Sequence, residues 1–442
     1  MKLLIKNGRV IDPRNGIDDL LDVLVEDGTI KGIAPEIKSE DAVLINASNK
    51  VVTPGLIDMH VHFRQPGRHE YKETIRTGSR AAAKGGFTTV VCEPNTIPPI
   101  DCKKRVKQVL DIAQKDSVVN LYTKECITKG MKGREIVNVK WGVEQGAIAL
   151  TDDGFPVASI DIMGKAAKEA KKYGIPICPH CEETRLKGRK EPSILWRKEA
   201  LAYRHYNSEA EYIERDIHIV RDTGCQFHFP HVSLAKSIAR IAQAKKEGLP
   251  VTAEASPHHF TLTAQDAKEI GPNAVVNPPL RTIKDVESIK EALRNGTIDV
   301  IATDHAPHAP YEKASKKPPF GIIGVETSLG IVLTHLVQPG ILSLSSAIEK
   351  MTANPAKILN LRRGELGVGM PADVTIIDLD KEWTVNVDEF ESKGRNCPFN
   401  GWKLKGKAVM TIVGGKIAMS EGKISDPPTE DPRLLQQLRL PI

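Results

Sequence analysis

Short apolar runs alternate along most of the chain with longer stretches in which apolar residues recur every three or four positions. The runs are "GLIDMH" (55–60), "FTTVVCE" (87–93), "VVNLYT" (118–123), "AIALTD" (147–152), "IPICPH" (175–180), "CQFHFPH" (225–231), "VTAEAS" (251–256) and "IDVIATD" (298–304). Helix-period segments follow them, such as "KETIRTGSRAAAKGG" (72–86), "KKRVKQVLDIAQKD" (103–116), "DIMGKAAKEAKKYG" (161–174), "EAEYIERDIHIVRDTG" (209–224), "LAKSIARIAQAKKEG" (234–248), "IKDVESIKEALRNG" (283–296) and "TSLGIVLTHLVQPG" (327–340). Several end in Gly, the usual left-handed stop of a helix. Eight strand-then-helix units in series predict an α/β fold, a (β/α)8 barrel of the TIM type. The rival is a doubly wound open sheet, disfavoured because no G-x-G-x-x-G follows the first barrel run.

The two ends carry a different pattern. Residues 1–53 and 364–424 alternate with period two and are punctuated by Gly, as in "LDVLVEDGTIKGI" and "GKAVMTIVGGKIAMSEGK". Neither end is long enough to make a stable sheet alone. They are expected to combine into one small β-sandwich-like domain flanking a barrel of residues 54–363. The Pro-rich remainder, 425–442, reads as an extended tail.

Composition excludes several classes of function. No apolar run approaches the length of about 18 residues or more that a membrane helix needs. The N-terminus lacks a signal-peptide pattern, which suggests a cytoplasmic protein. A net charge of +6 is small for 442 residues, and no basic stripe with interleaved aromatics points to nucleic acid. The basic segment "KGRKEPSILWRK" reads as a solvated loop. Seven scattered cysteines do not form a secreted disulfide framework. Cys178 and Cys181 have C-x-x-C spacing, but they end an apolar run instead of opening a helix. The macrodipole that lowers a redox thiol's pKa is therefore missing there.

Metal-type residues gather at the strand ends. His60 and His62 form an H-x-H on the first run, and period-two alternation points both rings to one face. Asp152 and Asp153 follow the fourth run; His180, His231 and Asp304 close the fifth, sixth and eighth. Barrel enzymes keep their active sites at this C-terminal face. Imidazole and carboxylate suit zinc or a similar divalent ion. A lone buried histidine is usually a hydrogen-bonded core residue, and several of the thirteen need no function. His69, His205, His218 and His335 read as surface or structural, and so do His258 and His259. His228 lies an odd number of residues from His231 and need not share its face.

The chain resembles the amidohydrolase superfamily and, within it, the class I dihydroorotases. The resemblance rests on "DMHVHFRQPG" (58–67) and "ATDHAPHAPYEK" (302–313), with "GGFTTVVCEPNT" (85–96), "TDDG" (151–154), "HCEE" (180–183), "HFPHVS" (228–233), "PHH" (257–259), "NPPLR" (277–281) and "PPFGIIGVET" (318–327) between or after them. It spans the whole chain, split β-domain included. It implies a two-zinc site, with His60, His62 and Asp304 on one ion and His180 and His231 on the other. Many relatives bridge the ions with a carboxylated lysine. Class I dihydroorotases use an aspartate, and "AIALTDDG" offers no lysine. The resemblance favours Asp153 over Asp152 as this bridge, since the 27-residue interval from Asp153 to His180 fits the family pattern.

The same resemblance makes Asp304 the catalytic acid–base group. It places His62, Arg64, Asn95, Asn277, His308, Phe320 and Gly321 against the substrate. The planar fork of Arg64, two residues beyond His62, suits a carboxylate. The implied reaction interconverts N-carbamoyl-L-aspartate and L-dihydroorotate in pyrimidine synthesis. The alternatives are a hydantoinase, dihydropyrimidinase or allantoinase, or a non-catalytic subunit scaffolding aspartate transcarbamoylase. A homo-oligomer or a complex with that transcarbamoylase is the partner the family implies. Residues 305–321 read as a loop over the site. Two stretches depart from the family wording. One is 185–212, and the other is Glu93, where an apolar residue is expected. A carboxylate there would repel an anionic substrate unless it points away or is paired.

Overall fold

The computed structural model describes residues 1–181 and 208–425. His205, most of the stretch 185–212 and the tail after residue 425 lie outside the described residues. Eight parallel segments close into a barrel. Leu56–Val61, Phe87–Cys92, Asn120–Glu125 and Ala147–Leu150 pair in that order, and so do Phe227–Phe229, Val251–Ala255 and Val300–Ile301. Ile177 joins the two sets, bridging Leu150 on one side and Phe227 on the other. Val61 bridges His305 to complete the ring, with His62 N donating to His305 O at 2.8 Å. The fifth run is therefore a single bridging residue instead of a full strand. Pro176 and Pro179 flank it, and a proline has no N–H to give to a ladder. Residues Leu56 through Val61 are all buried, as expected where helices cover one side and the barrel interior the other.

The helices begin and end where local chemistry directs. Thr74 caps Ile75–Lys84 in a reciprocal box with Thr77, so the expected helix starts three residues late. Ser328–Val332 runs into a wider π-turn at Leu333–Val337, so the last expected helix is not uniform. Among the described residues, no helix is long and apolar enough to cross a membrane.

The two ends of the chain do build one sheet. Lys2–Asp12, Ile17–Glu26, Thr29–Ala34, Val43–Asn46 and Val51–Pro54 join Val374–Thr384, Lys403–Val413, Lys416–Ser420 and Lys423–Ile424. The halves meet where Val52 lies opposite Ile376 in an antiparallel pair. The sheet is continuous, and its arms fold over one apolar core that includes Leu3, Ile5, Val23, Val25, Val374 and Met410. Thr29 bridges Pro371, and Ala372 N donates to Gly28 O at 2.8 Å, tying the far arm back. Each fully buried Val, Leu or Ile contributes roughly 1.5–3 kcal/mol.

The third barrel strand carries two adjacent buried ionisable residues on opposite faces. Lys124 pairs with Glu93 of the second strand's end. Glu125 packs against the helix Val139–Glu144, and any side chain at Gly142 would overlap its Oε2. Neither carboxylate oxygen of Glu125 has a hydrogen-bond partner among the described residues. Burial pushes this carboxyl up to about 8, and the charge of Asp101 pushes the same way. The folded protein thus holds a proton that the unfolded chain releases near pH 4.3. This contribution is complete below about pH 4.3 and is lost as pH rises through about 8. In Glu125→Gln that dependence should vanish. Denaturant unfolding at pH 5.5 and pH 9 should show the variant gaining up to a few kcal/mol on the wild type between the two, since a tenfold change in proton affinity is worth about 1.4 kcal/mol. Parallel pH profiles would refute the assignment.

Candidate metal centre

Barrel closure brings four histidines and two aspartates to one spot at the C-terminal ends of the strands. His60 and His62 come from the first strand and its extension, and Asp153 from just after the fourth. His180 follows the fifth segment, His231 the sixth strand and Asp304 the eighth. All six are buried. The backbone bends sharply here: Arg64, His231 and Asp304 have φ of 58°, 38° and 51°. Non-glycine residues seldom adopt such angles, and they persist where surrounding structure holds them.

The rings and carboxylates aim at one another. His62 Nε2 lies 3.1 Å from Asp304 Oδ1 and 3.5 Å from Asp153 Oδ2. His180 Nδ1 and His231 Nε2 are each 3.4 Å from Asp153 Oδ1 and 3.1 Å from each other. His60 Nε2 stands 3.6 Å from Asp304, 3.7 Å from Glu93 and 3.8 Å from Asp153, with no hydrogen-bond partner among the described residues. A buried ring nitrogen facing three carboxylates without bonding any of them suits a cation between them. His60, His62 and Asp304 form one group with metal-binding spacing; His60, Asp153 and His231 form a second. The donor set is the imidazole–carboxylate chemistry expected for a divalent ion.

Electrostatics separate the two aspartates. Burial would raise Asp153, but hydrogen bonds from His180 and His231 and the charges of His60 and His62 hold it well below the usual carboxylate range. Asp152 turns away and accepts from the backbone N–H groups of Ile127 (2.8 Å) and Thr128 (3.1 Å) and from the Thr128 hydroxyl. Burial outweighs those bonds and brings it up to about 6. For Asp304, burial is overcome by His62, His60 and His231, which bring it down to about 2. Burial also opposes the His60 imidazolium, but Glu93, Glu254 and Asp304 together raise it.

The expected substrate residues surround this centre in different states. Arg64 makes one hydrogen bond among the described residues, from Nε to Pro307 O at 3.3 Å, so its terminal nitrogens stay available. Burial lowers it to about 10, against the pull of Asp304 and Asp153, and it stays charged at neutral pH. Asn277 Nδ2 lies 3.1 Å from His180 Nε2. Asn95 is engaged at both ends, with Oδ1 2.9 Å from His62 Nδ1 and Nδ2 3.2 Å from Asp153 Oδ2. His308 is engaged too, with Nδ1 3.2 Å from Lys72 Nζ and Nε2 2.7 Å from the Phe320 carbonyl. Gly321 has φ 130°, and a Cβ there would strike Ala306 at 2.7 Å. Its carbonyl accepts from Lys313 Nζ at 2.9 Å. That ammonium also meets the carbonyls of Val275 and Pro319 at 3.2 and 3.0 Å, pinning the loop beside the site.

Glu93 is paired with Lys124, not with Arg64. The apolar pattern does not single out this lysine, although a charge inside an apolar run signals a buried partner. Glu254 is the other residue the pattern misses: it bonds His60 and His228 from behind, and the same signal stands in "VTAEA". Cys178 and Cys181 are free and buried, and burial pushes the Cys178 thiol up to about 12, far from a reactive thiolate. His258 and His259 are buried side by side, their ring centroids 4.2 Å apart. His335 packs on Trp402, and His69 sits edge-on to Tyr71.

The amidohydrolase family profile matches residues 51–418. The chain is 43% identical to the dihydroorotase of Caldanaerobacter subterraneus subsp. tengcongensis over 96% of this chain and 98% of that protein. It is 45% identical to the dihydroorotase of Citrifermentans bemidjiense over 94% and 99%. The L-hydantoinase (dihydropyrimidinase) of Arthrobacter aurescens superposes with a TM-score of 0.88 at 28% identity, covering 96% of this chain and 97% of that one. Dihydropyrimidinase from Brevibacillus agri shares the fold, with a TM-score of 0.83 at 22% identity over 96% of each chain.

The aspartates give a direct test. Asp153→Asn should lose bound metal while staying folded. Asp152→Asn should keep metal and lose about 1–3 kcal/mol of stability, since a buried acceptor is damaged. Elemental analysis after dialysis, paired with denaturant unfolding, checks both. Metal loss confined to a folded Asp152→Asn would reverse the roles.

Proposed function

The chain belongs to the amidohydrolase family, and from that premise we propose that it is a zinc-dependent dihydroorotase, interconverting N-carbamoyl-L-aspartate and L-dihydroorotate. Support for the metal comes from the orphaned His60 Nε2 facing three carboxylates. In this reading His60, His62 and Asp304 would hold one zinc ion and His180 and His231 a second, with Asp153 as the carboxylate available to both. When bound, they supply Lewis acidity, polarising the ring carbonyl and making water acidic enough to attack it. Asp304, ionised at neutral pH, takes the proton that the attacking water gives up. It hands that proton to the ring nitrogen as the amide C–N bond opens. The synthetic direction runs the same transfers in reverse. Arg64 receives the substrate carboxylate on its unengaged guanidinium nitrogens. Asn277 and the Phe320–Gly321 backbone frame the ring. Asn95 and His308 act first as props for His62, Asp153 and the loop, and must exchange partners to touch substrate.

The observation that favours dihydroorotate over a neutral ring is the pairing of Glu93 with Lys124. It cancels the carboxylate that would otherwise repel an anion or occupy Arg64. The absence of a lysine beside Asp153 also argues against a hydantoinase or allantoinase. The complete ligand set argues against a non-catalytic scaffold. We further read residues 54–363 as the catalytic unit, with 1–53 and 364–424 as the flanking β-domain. Seven unpaired cysteines fit a reducing cytoplasm. Assembly as a homo-oligomer or with aspartate transcarbamoylase is the partnership this family membership suggests.

Substrate discrimination tests the assignment. Dihydroorotate should be turned over far better than dihydrouracil, which lacks the carboxylate. Removing one partner of a buried charge pair costs roughly 2–5 kcal/mol. Arg64→Met should therefore lower kcat/KM for dihydroorotate by roughly 30- to 5,000-fold. Comparable wild-type turnover of dihydrouracil would overturn the reading. Unchanged kcat/KM in the variant would remove Arg64 from the substrate.

A further inference from the structure

Glu254 lies fully buried on the seventh barrel strand, directly behind the candidate ligands. Both of its oxygens are in use. Oε1 is 2.7 Å from His60 Nδ1 and accepts the His231 backbone N–H at 3.3 Å. Oε2 is 3.0 Å from His228 Nε2, and His228 Nδ1 is 2.9 Å from Thr252 Oγ1. One carboxylate thus reaches residues from the first and sixth strands, on the two sides of the site.

Two consequences follow from that placement. An ionised carboxylate can only accept, so the His60 ring proton sits on Nδ1. When a cation displaces the second ring proton, Nε2 is the nitrogen that offers its lone pair, and it is the one that faces Asp153 and Asp304 without a partner. The second consequence concerns His231, whose φ of 38° is uncommon for a residue with a side chain. Anchoring its N–H helps hold that turn and aims the ring at Asp153.

We infer that Glu254 is a positioning residue for the metal centre, setting the tautomer of His60 and the backbone of His231, with His228 and Thr252 holding it in place. The inference rests on the metal reading above. A carboxylate behind a ligating imidazole also raises the basicity of the ligand, and losing such support typically costs 10–100-fold in metal affinity.

Glu254→Gln separates this role from a merely structural one. Its carbonyl oxygen can accept from His60 Nδ1 and His231 N. Its amide can donate to His228 Nε2 once the His228 proton moves to Nδ1 and bonds Thr252 Oγ1. Every hydrogen bond survives and only the charge is removed. Zinc affinity is measured by competition with a chromogenic chelator, alongside Tm of the metal-free proteins. The expected result is a 10–100-fold weaker affinity with Tm close to wild type. A folded Glu254→Gln that binds zinc as tightly as wild type overturns the inference and leaves the metal reading intact. A wild type that takes up no zinc overturns the metal reading, and the inference falls with it. Should Glu254→Gln not fold, His228→Gln makes the same test one step removed: weaker zinc binding sustains the inference, and wild-type affinity overturns it.

Discussion

Charge balance at the mouth of the barrel is the constraint on which the rest of the site depends. Four carboxylates, from Glu93, Asp153, Glu254 and Asp304, surround His60 within 4 Å, and all four are buried. Of the four, only Glu93 has a lysine or arginine partner among the described residues. Burying an unpaired carboxylate costs several kcal/mol, and here the surrounding imidazoles are the groups that offset it most for Asp153, Glu254 and Asp304. Such an arrangement is tolerated when cations complete it. The barrel makes it geometrically unavoidable, because closing eight strands brings their C-terminal ends, and whatever they carry, to one place.

The supporting structure acts as a set of restraints on that cluster. Glu254 and Asn95 hold the far nitrogens of His60 and His62, leaving the near nitrogens directed inward. His231 and Asp304 reach the centre only through left-handed backbone turns. Lys313, buried and without a carboxylate partner among the described residues, ties the loop after the eighth strand to Val275, Pro319 and Gly321 through their carbonyls. Rigid ligands on strand ends and a pinned loop beside them make a site shaped before substrate arrives, with Arg64 as its unspent positive charge.

Much of this is legible in the residues. The eight runs, the H-x-H and the strand-end ligands require only the period of two and the rule that barrel sites lie at the C-terminal face. The fifth strand is shorter than its apolar run predicts because two prolines remove ladder donors, a local effect that the apolar pattern hides. In the sequence, the choice between Asp152 and Asp153 is a matter of family wording. In the structure it becomes physical, since Asp152 spends its oxygens on Ile127 and Thr128. Glu254 stands inside an apolar run and Lys124 at the end of one, which signals a buried partner, but that partner lies on another strand. Which residue it is has no local signature. Asn95 and His308 show the converse: their positions match a substrate site, but which groups their side chains hold at rest follows from the assembled fold.

The central claim is that cations sit between these side chains with Asp153 in the middle. Anomalous diffraction at the zinc absorption edge, from crystals of the zinc-loaded protein, tests it most directly. Two peaks are predicted, one against His60, His62 and Asp304 and the other against His180 and His231, with Asp153 lying between them. Crystals with no anomalous peak inside the cluster, or with a peak held by Asp152, would contradict the account.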